Sequence, residues 1–585
     1  MHRILPALLV ASCLVPGCAN EIPQLPLTKT RAITGGTLAI TQDGIAVAAD
    51  TDRDVVSVVD LDAQAVTPIK LTAGDAPGRV VIDAAGRAHV VLRQAGAVAT
   101  IDTRSAAILD RREVCPAPRG IAYDAAHDVV HVACAGGELV TLPAAGGPST
   151  RSVRLDRDLR DVVVQGDTLL VSRFRSAELL AVSAVGNVLQ RRSPLQTTGS
   201  FDNTVASQPT VAWRTLALPS GEIAMLHQRA TATSVGTDTG AYGWGSNCGG
   251  GIVESTVTFF DGNGNLGSDL PMPELGFETV LAVDIAADDA GNLGVVSAGT
   301  AQVRFIGTRA QLESSATTDG CSVFFDDSGS ETISLDVTPT AIATWRGRWF
   351  VQARERPEII EVGARSVLST IELDGPVLGN AGDVTFHASW NGVACAGCHP
   401  EGGDDGHVWF FDGIGARRTQ NLTGGLMHRA PFHWRGELPD LDALVNEVLI
   451  ERMQANLGAG PAISQLGRWL DALPANPPSP TGTPEQIEHG KQLFHDPLVG
   501  CAGCHAGPYL TTNERLDVGT GKTMKVSSLV GISARAPFFH DGCATTLEER
   551  FDASKASCNG GDQHGQTSQL GPADIHDLIA YLETL

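Results

Sequence analysis

The apolar run ILPALLVASCLV near the start is too short to span a membrane, and no other segment is apolar enough to do so. Charge is sparse as well. Charged residues make up 18% of the chain, with 42 Lys and Arg against 66 Asp and Glu, a net charge of −24. That shortage of cations argues against nucleic acid and anionic membrane surfaces as partners and fits positively charged ones. Aromatic residues amount to 5%, and no cluster of Trp, His and acidic residues marks a quinone-cofactor enzyme. Glycine, by contrast, is abundant at 65. A length of 585 residues suggests roughly three domains.

The first stretch, Met1 to Gly17, places Arg3 ahead of a short apolar core and reads as a secretory signal. Val15-Pro16-Gly17-Cys18 resembles a bacterial lipoprotein cleavage box, with Pro16 a departure from the usual small residue. Val10-Ala11-Ser12-Cys13 is a rival box with too short an apolar core, and ordinary signal cleavage is the alternative to both. Each reading exports the mature chain, to the periplasmic side of a bacterium or to its outer membrane on a lipid at Cys18.

Residues 32–375 repeat one phrase, an apolar strand, a Gly- or Asp-rich turn and a second apolar strand. It recurs seven times, from TLAITQDGIAVAAD (37–50) to AIATWRGRWFVQ (341–352). Units of this length correspond to four-stranded propeller blades. The pattern resembles YVTN-type and related quinoprotein-like propellers, which implies an all-β seven-bladed propeller serving as a platform for a protein partner. The insert SVGTDTGAYGWGSNCGGG (234–251) reads as a loop on one face.

Two pentapeptides dominate the remainder: Cys395-Ala-Gly-Cys398-His399 and Cys501-Ala-Gly-Cys504-His505. Cys-x-x-Cys-His is the attachment signature of c-type haem. Its two thiols form thioethers and its histidine supplies the proximal nitrogen to iron. A structural zinc site pooling the four thiolates is the bland alternative, and it leaves both histidines idle. The surroundings repeat too. Arg429-Ala-Pro-Phe432 and Arg535-Ala-Pro-Phe538 stand at the same offset from their motifs, as do Gly436 and Gly542. Apolar helical stretches, LGRWLDAL (466–473) and DLIAYLETL (577–585), close the two halves. The expected organisation is a signal peptide (1–18), a propeller (32–375) and two tandem, mostly-α c-type cytochrome domains (380–473 and 484–585). It carries two covalent haems. Six cysteines remain outside the motifs and the signal, and sequence neighbours pair as Cys115–Cys134, Cys248–Cys321 and Cys543–Cys558.

RRTQNLTGG (417–425), PFHWRG (431–436), FHDPLVGCAGCHAGP (494–508) and KVSSLVGISARAPFFHDGCATTLEE (525–549) resemble the diheme cytochrome c peroxidase family over the last 200 residues or so. The resemblance implies haem binding and one-electron transfer. Hydrogen-peroxide reduction fed by a small electron carrier is one alternative, and a propeller binding module with a redox haem tether is another. It also implies that Trp434 stands between the haems. Where the family's second domain places a Met ligand, this chain has Ser554. His564 is the expected sixth ligand opposite His505, with Met524 as a rival. In the first half either Met453 closes the iron, or the site is open and Glu447 or Glu451 shuttles protons as a catalytic residue. His407, His428 and His433 are further candidates as ligands.

Overall fold

The computed structural model describes residues 30–197, 206–243, 251–268, 270–272, 275–276, 279–314, 331–456 and 461–585. The signal region, Cys18 and the Cys248–Cys321 pair lie outside them.

Each strand phrase folds as the first hairpin of one antiparallel sheet. In the first sheet, Leu38–Ile40 and Ile45–Asp50 pair, followed outward by Val55–Asp60 and Ala65–Lys70. The hairpin turns explain their own sequence. In Asp83-Ala-Ala-Gly86 the aspartate carboxylate accepts from the Ala85 and Arg87 amides, and Gly86 supplies the left-handed φ of +78° that closes the turn. The inner three strands of that first sheet are apolar and buried, while Ala65–Lys70 is largely exposed and polar, which protects the outer edge.

Seven such sheets follow one another among the described residues. Six have four strands, and the fifth has three, Ser207–Ala217, Ile223–Thr231 and Val253–Phe260. The first strand of each sheet touches the first strand of the next. Pro339–Trp345 of the seventh returns to touch Leu38–Ile40 of the first, so the ring closes in propeller-like form. Neighbouring sheets share apolar layers. Val47 and Val56 meet Val80 and Val90, and Leu38, Ala48 and Val59 meet Ala341, Phe350 and Ile359. A Cys115–Cys134 disulfide staples the third sheet to the segment entering it, and Cys543–Cys558 forms near the C-terminus.

Beyond the ring the chain does not form the expected pair of mostly-α cytochrome domains. Helices there are short, the longest being Pro484–His495, Pro461–Asp471 and Pro572–Leu582 at 12, 11 and 11 residues. Between motif and closing helix the chain runs as loops, single turns, the hairpin Val408–Phe411/Gly415–Arg418 and, in the first half, the helical turn Leu441–Leu444 continued by the wider helix Val445–Arg452. A run of left-handed positions from Gly402 through Gly436 interrupts helix formation. The first half also lacks a core of its own. Phe386, Trp409, Leu449 and Trp469 pack into the same apolar cluster as Trp213, Leu226 and Val283 of the ring. Its hairpin adds to Ser234–Val235 as a sheet. Only the second half centres on a small separate cluster, around Phe494 and Leu578. The whole is a mostly-β molecule. No helix among the described residues is long and apolar enough to cross a membrane.

Two ring histidines make stability depend on pH. His227 donates from Nδ1 to the Gln228 carbonyl at 3.0 Å and accepts at Nε2 from Thr258 Oγ1 at 2.9 Å. Burial, then the Arg229 charge, lowers its pKa to about 3. Burial followed by the Arg151 charge takes His131 to about 4. Unfolded histidine titrates near 6.5, so below that pH the unfolded chain takes up protons that the folded chain refuses. Stability is therefore lost as pH falls from about 6.5 towards 4, by up to about 1.4 kcal/mol per pH unit for each residue. His227→Gln is expected to flatten the acid slope of the midpoint in urea titrations between pH 6.5 and 4. An unaltered slope would contradict the assignment.

Candidate cofactor site

Both CAGC segments form one helical turn, with the His399 amide donating to Cys395 O at 2.9 Å and the His505 amide to Cys501 O at 3.0 Å. Each histidine then spends Nδ1 on a backbone carbonyl, His399 on Gly403 O at 3.1 Å and His505 on Leu510 O at 3.3 Å. This fixes the ring and leaves Nε2 as the nitrogen for a metal. Burial lowers the pKa of both rings, so the neutral, ligating form prevails. The four motif cysteines are unpaired by disulfides. Burial pushes the Cys395 thiol up to about 12 and raises Cys398 and Cys501, so these are not reactive thiolates at neutral pH.

Each motif borders a cavity, of about 270 Å³ for the first and 430 Å³ for the second. The first is walled by Leu426, Phe432, Leu449, Met453 and Leu466, and the second by Phe494, Phe539, Leu547, Phe551 and Leu578. Cations line them as well. Arg418, Lys525 and Arg535 belong to both walls, together with Trp434. An apolar slot lined also by two thiols, an imidazole and guanidinium groups suits an iron porphyrin and its carboxylates. It does not suit zinc. Among the described residues, the one group of three or more ligating atoms close together is Cys115, Cys134 and Glu138, whose thiols are spent in a disulfide.

The sequence candidates separate on this geometry. His564 lines the second cavity, with its ring centroid 6.3 Å from that of His505 and its Nδ1 donating to Asn559 O at 3.1 Å. Two imidazoles bound across one metal ion at about 2 Å have centroids roughly 6 Å apart. Met524 borders the same cavity. Met453 is buried in the wall of the first. Trp434 sits on the partition and donates to Arg418 O at 2.7 Å. Glu447 and Glu451 do not line the cavity. Glu447 is held in an ion pair by Arg452, and Glu451 is exposed. His407 has both ring nitrogens engaged, with Gln208 and with Thr231 O, and His428 stacks on Tyr509. His433 lines the first cavity and pairs with Glu437 at 3.3 Å. Ser554 donates its amide and hydroxyl to the Asp552 carboxylate, which caps a short turn, and does not line the second cavity.

No family model matches the chain. The hydrazine synthase gamma subunit of Kuenenia stuttgartiensis is 25% identical over 272 residues, covering 34% of this chain and 74% of the relative. A solved hydrazine synthase chain from the same organism aligns with 57% of this chain and 96% of its own, at 15% identity and a TM-score of 0.45. A virginiamycin B lyase from Staphylococcus aureus aligns with 60% of this chain and 97% of its own, at 11% identity and a TM-score of 0.36. The gamma-subunit match corrects the expected family, a diheme cytochrome c peroxidase-like region fused to a YVTN-type propeller. The functions drawn from that family fall with it: the peroxidase-type electron-transfer cytochrome, the peroxide reductase and the tethered binding module. The same departures were visible in the chain, at Ser554 and at a glutamate pair that stays outside the cavity.

Sequence reasoning missed the buried charges behind the first motif. Glu401, just past His399, accepts from Arg93 at 2.7 Å and from Arg160 at 2.5 Å, with Arg119 at 3.8 Å. Burial alone raises the Glu401 carboxyl, but those guanidinium groups outweigh it and hold it far below the usual range. Asp404 is likewise held down, against its own burial, by Arg418 and Arg175 at 2.8 and 2.7 Å. The repeat of Arg429 and Arg535 was a legible hint of cations here; each donates to backbone carbonyls beside a cavity. Asp404→Ala strips a buried carboxylate from two buried arginines and is expected to cost about 3–5 kcal/mol. Chemical denaturation measures it, and a loss below about 1 kcal/mol would mean the pairing is not holding the fold.

Proposed function

We propose that the chain is an exported, propeller-type redox subunit of the hydrazine synthase gamma kind, holding one covalent c-type haem in each cavity. The observation that carries the reading is the twice-built motif: two thiols and an imidazole fixed through Nδ1, at the edge of an apolar slot. Cys395, Cys398 and His399 would hold the first haem, and Cys501, Cys504 and His505 the second. The bound haem supplies a redox-active iron.

The chain's own residues set the surroundings of each. His564 lies across the second cavity from His505 and would be the second imidazole available to hold the iron. Met453 is buried in the wall of the first cavity and would be a thioether available to that iron. Arg418, Lys525 and Arg535 line both cavities and would answer the carboxylates of bound haem, and Trp434 lines both cavities with an aromatic ring. Small redox proteins with basic surfaces fit the acidic exterior as partners. The gamma-subunit likeness supports placing this chemistry within a larger nitrogen-converting assembly.

Denatured, reduced protein should show a haem c spectrum with two haems per chain, and replacing Cys501 and Cys504 by Ala should halve it. Full haem content after that change would defeat the attachment sites. In electron paramagnetic resonance the second haem is expected to be low-spin, and His564→Ala should turn that signal high-spin without altering the count. A second haem indifferent to the substitution would return Met524 as the ligand.

A further inference from the structure

The propeller sends three of its arginines out of the second, third and fourth sheets to a single carboxylate. Arg93 follows the strand Arg87–Leu92, Arg119 opens Pro118–Asp124 and Arg160 lies in Leu159–Gln165. All three converge on Glu401. Arg175, which follows Thr168–Arg173, reaches Asp404 in the same way and is joined there by Arg418 and Asn421. The segment between Glu401 and Asp404 contains Gly403, whose carbonyl takes the His399 Nδ1 hydrogen bond. Glu401 is held at a φ of +54°, a conformation a glutamate rarely adopts without an external hold. A cavity of about 280 Å³ lies alongside, lined by Arg93, Arg119, Arg175, Glu401 and Asp404.

We infer that the propeller is a working part of the first haem site: its arginines act through Glu401 and Asp404 to position the imidazole of His399. The inference rests on the haem reading of the CAGCH motifs. A histidine's hydrogen bond through Nδ1 sets both the orientation of the ring and the basicity of Nε2. Here the accepting carbonyl is clamped on both sides by charge pairs whose cationic members belong largely to the ring of sheets. The second motif is built differently. His505 uses the carbonyl of Leu510, in a stretch between Gly507 and Asn513 that turns back on itself through its own backbone. It therefore serves as an internal control in the same molecule. Glu401 and the arginines are positioning residues, since they reach the iron only through His399.

The test uses full-length, haem-loaded protein in unaltered, Glu401→Gln and Arg93→Gln forms. Haem is counted per chain, and each haem is followed by potentiometric titration and electron paramagnetic resonance. In Glu401→Gln three buried cations lose their partner and the Gly403 carbonyl loses its clamp, and both changes disfavour ferric iron. The expected result is two haems per chain, a first haem whose reduction equilibrium constant rises about tenfold or more, and a second haem that does not move. Arg93→Gln removes one of the three arginines and should alter the potential and resonance of the first haem alone, which keeps the question answerable if Glu401→Gln does not fold. A network that only docks the propeller would change thermal stability and leave both haem signatures in place. That outcome, with two haems present, overturns the positioning role alone. Unaltered protein lacking haem on the first motif overturns the haem reading and this inference with it.

Discussion

Burying a carboxylate is costly unless its charge and its lone pairs are answered by donors, and removing one partner leaves the other stranded. Glu401 and Asp404 are the places where this constraint governs the molecule. Around them five arginines come together from three sheets of the ring and from the loop after the first motif. The arrangement has few alternatives, because a shift of the motif relative to the ring would strand several buried charges at once. The apolar packing of Phe386, Trp409 and Trp469 against the ring adds area to the same junction. Charge fixes the register of the junction, and the apolar contacts supply bulk stabilisation.

The ring was legible from the chain because its information is local. An apolar strand, an Asp- or Gly-marked turn and a second apolar strand can be recognised within a dozen or so residues, and each such phrase became the first hairpin of one sheet. The charge junction was not legible. Arg160 and Glu401 are 241 residues apart, and Arg93 and Glu401 are 308 apart. No local pattern in the chain announces that they meet. The region beyond the ring departs from its expected fold for a different reason. Amphipathic stretches such as LGRWLDAL and DLIAYLETL do form helices, but glycine and proline between them cap helix length, so a few helical turns were extended into mostly-α domains that do not exist. The Cys-x-x-Cys-His pattern, by contrast, carries its signature within five residues, and each copy borders a cavity.

Duplication is visible in the backbone as well as the residues. Ala430–Pro431 and Ala536–Pro537 are both cis. Phe432 and Phe538 each form the same small bridge, to Leu438 and Ala544, and His433 and Phe539 share a left-handed conformation. The loops that cradle the two cavities are thus one design used twice. What differs is the lining, where the first cavity includes Met453 and the second includes His564 close to the ring of His505. The support behind the histidine differs too, with the ring of sheets backing one copy and a short loop the other.

Among the described residues, the ring is closed without any strand exchange. Its seventh sheet is made wholly of late strands and its first wholly of early ones. They are joined by packing and a few side-chain bonds, with Trp345 donating to Gln42 O and Gln352 to Ala49 O, each across 303 residues of chain. During synthesis, N-terminus first, the first sheet emerges some three hundred residues before its final neighbour. Leu38, Ala48 and Val59 then wait without the side chains that will cover them. Closure over so long a span is a late, non-local event. The greasy flank of the first sheet is the surface of the nascent chain most in need of a chaperone's cover.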